Sequence, residues 1–78
     1  MMNNVDKMEM QVQVANMRCK CIGNEIIDIL RQIEKHPDNL ELWKFWRRLT
    51  QRYKNANARY KALFRQWDEA IKNYKYVA

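Results

Sequence analysis

The sequence predicts an all-α fold, an antiparallel two-helix coiled-coil hairpin, on three observations. One glycine and one proline in 78 residues leave little material for loops, whereas the good helix formers Leu, Lys, Arg, Gln and Met are plentiful. Apolar residues recur at alternating steps of three and four on both sides of Pro37, the spacing that gathers them along one side of a helix. The single proline sits near the middle, in "KHPDNLEL", with Asp38 and Asn39 directly after it.

The first helix is expected at about 5–35. Val5, Met8, Val12, Ala15, Cys19, Ile22, Ile26, Ile29 and Ile33 form a heptad seam through it. A competing signal lies in the same stretch. "MEMQVQV" and "MRCKC" alternate apolar and polar residues, as a half-buried strand would, and an α+β fold with an N-terminal β-hairpin at about 7–22 is the alternative. The turn of such a hairpin lacks an Asn-Gly type pair, and the unbroken heptad favours the helix. If the segment is helical, Met10, Val14, Met17 and Cys21 align on the side opposite the seam. A hairpin covers only one of these two apolar sides. The second side is therefore assigned to self-association through helix 1, giving a homodimer built as a four-helix bundle.

The turn is expected at 36–39. Proline disfavours helical backbone at the residue before it, here His36, and Asp38 or Asn39 can cap the second helix. A connection this short makes the helices antiparallel neighbours. The second helix, about 40–75, repeats the seam with Leu42, Trp46, Leu49, Tyr53, Ala56, Tyr60, Leu63, Trp67, Ala70 and Tyr74. Aromatic rings at this spacing read as core packing rather than as a base-stacking surface. Trp43 and Phe64 fall one step off the seam and Phe45 on its other flank, which makes these three the candidate anchors for a protein partner. A chain of this length makes one domain, 1–78, and a lone pair of helices buries a limited share of its surface.

The charge is divided unevenly. Residues 1–36 carry Lys7, Arg18, Lys20, Arg31 and Lys35 against Asp6, Glu9, Glu25, Asp28 and Glu34, so 5 − 5 = 0. Residues 37–78 carry ten Lys or Arg against Asp38, Glu41, Asp68 and Glu69, so 10 − 4 = +6, the net charge of the whole chain. Arg47, Lys54, Lys61 and Lys75 share one heptad position on helix 2, with Lys44, Arg48, Arg65 and Lys72 beside them on the outer side. Such a ladder suits an anionic partner, either nucleic acid through counterion release or an acidic protein surface. Arg52 and Arg59 lie beside the seam, where their stems can cover apolar surface.

The same inventory argues against several functions. There is no serine, one threonine, one histidine and no glycine-rich loop, so neither a Ser-His-Asp system nor a phosphate cradle can be assembled. No catalytic residue, cofactor or small-molecule substrate is assigned. Cys19 and Cys21 project to different sides of a helix and do not form a disulfide easily; reduced thiols and a cytoplasmic location are the simplest account. Metal binding needs more ligands than these and His36. Apolar runs are too short for a membrane span. A non-enzymatic binding protein that presents a basic helix face is the leading expectation. The alternatives are a small phage- or plasmid-type inhibitor or adaptor docking on a larger machine, and a polymerising structural subunit.

Overall fold

The computed structural model describes the backbone of residues 4–77 and the side chains of residues 4–73. Two helices, α1 (Asn4–Lys35) and α2 (Leu40–Val77), pack along each other as a hairpin. The rod measures 60 × 19 × 14 Å, a single layer two helices wide. The alternative β-hairpin over 7–22 does not form, because those residues lie within the unbroken α1. Their alternation marks two apolar sides of a helix instead of the two faces of a strand.

The turn closes as its residues dictate. The His36 N–H donates to the Gln32 carbonyl at 2.9 Å, and the Asn39 N–H donates to the His36 carbonyl at 3.1 Å. Asn39 caps α2: its Oδ1 accepts from the Glu41 N–H at 3.1 Å, satisfying one of the donors a helix leaves open at its start. Trp43 adds a second tie across the turn, its indole N–H donating to the Pro37 carbonyl at 2.9 Å. Asp6 in the first turn of α1 and Lys35 in its last carry the signs that the helix dipole favours at each end.

The seam forms the interface between the helices. Val12, Ala15, Cys19, Ile33 and Leu49 are buried, and every other seam residue of α1 is half-buried. On α2, Leu42, Trp46, Ala56, Tyr60, Leu63, Trp67 and Ala70 are half-buried, while Leu49 is only 1% exposed. A pair of helices leaves its seam open along both flanks, so most seam residues keep some exposure. Tyr74 and Lys75, expected on the seam and the ladder, have side chains outside the described residues.

Tyr53 departs from the expected core placement and is 36% exposed. Its neighbour across the seam is Gly23, where a methyl group would stand 3.7 Å from Tyr53 Cε2. Without that side chain, one edge of the ring stays uncovered. Trp46 and Trp67 bury their indole nitrogens with no hydrogen-bond partner among the described residues.

Candidate functional site

Two surfaces concentrate unusual chemistry, and they lie on different sides of the rod. The first is the outer face of α2. Arg47, Lys54 and Lys61 recur every seven residues along it, joined by Lys44, Arg48, Arg65 and Lys72, and all seven side chains are exposed. Two of them already face an acid. Lys44 Nζ lies 3.5 Å from Glu41 and Lys72 Nζ lies 3.0 Å from Asp68. These exposed pairs add little stability, but they neutralise the two ends of the ladder.

Between those ends, Arg47, Arg48, Lys54, Lys61 and Arg65 form no ion pair with any carboxylate among the described residues. From Arg47 to Arg65 the stripe runs for about 27 Å, at ~1.5 Å per residue. Asp68 stands seven residues after Lys61 and interrupts that row of bases. That boundary was readable from the sequence, because acids three or four residues from a lysine on a helix are within pairing reach.

The second surface is a groove of about 1050 Å³ along one flank of the hairpin. Its apolar lining includes Met10, Val14 and Cys21 of α1 together with Ala56 and Leu63 of α2. Lys7, Arg18, Arg52 and Arg59 also line it, with Glu25 as the one acid. Three of the residues assigned from sequence to self-association thus belong to this groove. Met17, the fourth, is 64% exposed on the crest of α1 beyond it. The participation of Arg52 and Arg59 went unread, because it depends on how the two helices align across the turn.

The candidate protein anchors separate. Trp43, 39% exposed, is tied to Pro37 and packs edge-on against Trp46, with ring centres 6.2 Å apart and planes at 79°. It therefore helps to hold the turn. Phe64 stands between Tyr60 and Trp67, at centroid distances of 6.2 and 5.7 Å, and stays 42% exposed. Phe45 is 45% exposed and joins no ring pair among the described residues.

Both cysteines are free; Cys19 is buried in the seam and Cys21 is exposed in the groove. No three of the described His, Cys, Asp or Glu side chains converge as a metal-binding group. Neither described helix is long and apolar enough to cross a membrane. Comparison with protein-family models, with curated proteins and with solved structures finds no match, which leaves residue chemistry and geometry as the guides to function.

Proposed function

We propose that this chain is a non-enzymatic binding protein whose α2 outer face engages the backbone of a nucleic acid. The observation that carries the proposal is the stripe of five exposed bases, Arg47, Arg48, Lys54, Lys61 and Arg65, none of which is held in an ion pair among the described residues. An ordinary solvated helix face mixes both signs, whereas here the acids of α2 sit beside the terminal lysines. Point charges spaced along a straight helix match a line of phosphates.

The aromatic residues support contact with the backbone over base stacking. Trp46, Tyr60 and Trp67 are committed to the seam, so few rings remain beside the stripe to receive unpaired bases. Recognition of this kind is sequence-tolerant and strongly salt-dependent. The bound partner would be a duplex, held by its charge and shape.

Binding of the intact chain to a generic duplex DNA and a generic duplex RNA, followed by fluorescence anisotropy over a range of salt concentrations, tests the proposal. With five phosphate contacts at ~0.9 counterions each, log affinity should fall against log salt with a slope of about −4 to −5. Absence of binding to either duplex at low salt would sink the nucleic-acid reading. An acidic protein surface would then be the better partner for the stripe, with Phe45 and Phe64 as the residues to test.

A further inference from the structure

The groove on the flank of the hairpin is not used by the α2 stripe. Arg52 and Arg59, which line it, sit beside the seam and apart from the row of Arg47, Lys54 and Lys61. Its lining is mixed: apolar Met10, Val14, Ile22, Ala56 and Leu63 stand among four bases and one acid, 4 − 1 = +3 among the described residues. From Lys7 to Glu25 it runs along α1 for about 27 Å, the length of a helix of roughly 18 residues.

We propose that this groove is the docking site for an amphipathic helix of a partner protein, apolar on the side that enters and acidic along both edges. Two helices lying side by side leave a valley that a third helix fills in the way a three-helix bundle does. Met10 and Val14, 52% and 55% exposed, supply apolar surface for the incoming ridge, and the methionine adapts to different side chains. Arg52 and Arg59 on α2 and Lys7 and Arg18 on α1 then stand on opposite sides of the guest, where its acidic edges would lie.

Charge selects this occupant over a second copy of the chain. Another hairpin packing through the same face would bring its own Lys7, Arg18, Arg52 and Arg59 against these, +3 facing +3. Like charges so placed disfavour a partner. An acidic helix reverses the sign of that contribution and keeps the apolar contact. Glu25, at one end of the groove, further disfavours a guest with an acidic residue at that end, which gives the site a direction.

A labelled synthetic 18-residue helix with Leu at its seam positions and Glu at both flanks serves as the probe, at physiological ionic strength, where charge pairs in close contact still count. Fluorescence anisotropy with the full chain should show saturable binding. It should weaken about tenfold or more for the same composition in scrambled order and for a version flanked by Lys. The R52E/R59E variant, whose changes are at exposed positions and whose helicity circular dichroism verifies, should instead prefer the Lys-flanked peptide. Equal binding of ordered and scrambled peptides, or none, overturns the proposal. So does sedimentation showing a dimer that Val14→Glu alone splits, because a second copy would then own the groove. Competition by duplex DNA would overturn it as well where DNA binding also falls in R52E/R59E, the sign that DNA occupies the groove and not the α2 stripe.

Discussion

The two helices are alike on their inner sides and opposite on their outer ones. Each contributes a seam of small and branched or aromatic residues, and the two seams pack into one interface. Outside, α1 shows Met10, Val14 and Met17, each more than half exposed, on a helix half whose charges cancel, 5 − 5 = 0. α2 shows Arg47, Lys54 and Lys61 on a half that carries 10 − 4 = +6. The shared inner pattern explains why the chain folds as a hairpin. The contrasting outer patterns do nothing for that hairpin, and this is why they are read as surfaces for partners.

Removing seam atoms should therefore have the largest effect on stability. Leu49 is the most buried large side chain, and Leu49→Ala should destabilise the hairpin by about 2–5 kcal/mol, the range for truncating a buried leucine. Urea denaturation followed by circular dichroism measures it. A loss below about 1 kcal/mol, well under that range, would mean that the seam is not the main source of stability.

A smaller effect of opposite sign is expected where the seam is incomplete. Gly23 lies within α1 and exposes helix backbone beside Tyr53. A methyl there would meet the ring at 3.7 Å, an ordinary contact. Gly23→Ala should raise stability by roughly 0.5–1 kcal/mol through helix propensity and added cover for the ring. If the same denaturation experiment shows a decrease, the space beside Tyr53 is needed by the fold.

The outer face of α1 should be the most tolerant. Val14→Glu with Met17→Glu changes two residues that are 55% and 64% exposed, and the stability of the isolated hairpin should move by about 0.5 kcal/mol or less. A large loss in the melting midpoint would show that this face is already covered in solution, which would blur the contrast between inner and outer sides.

Much of this organisation was legible in the sequence. Helices expected at about 5–35 and 40–75 occur at Asn4–Lys35 and Leu40–Val77, because a proline followed by a capping residue is a local signal that tertiary packing did not override. The nine α1 seam residues are all buried or half-buried, since heptad spacing fixes which side of a helix they share. What escaped depends on the alignment of one helix against the other. Tyr53 faces Gly23 and keeps part of its ring exposed, and Arg52 and Arg59 line a groove with Met10 and Val14. No spacing within a single helix encodes those pairings. The alternating stretch 7–22 misled in the other direction, because a helix with two apolar sides and a strand can share the same local pattern.

The claim that α2 faces a line of phosphates is tested most directly by the salt dependence of duplex binding in a variant with Arg47, Lys54 and Lys61 all changed to Gln. These three are exposed and belong to no ion pair among the described residues, so the variant should fold with a melting midpoint close to that of the parent. Loss of three contacts at ~0.7–0.9 counterions each should make the slope of log affinity against log salt shallower by about 2–3 units, on DNA and RNA of any sequence. A folded variant that binds the duplex with the slope of the parent would contradict the account, for the stripe would then not be the contact surface.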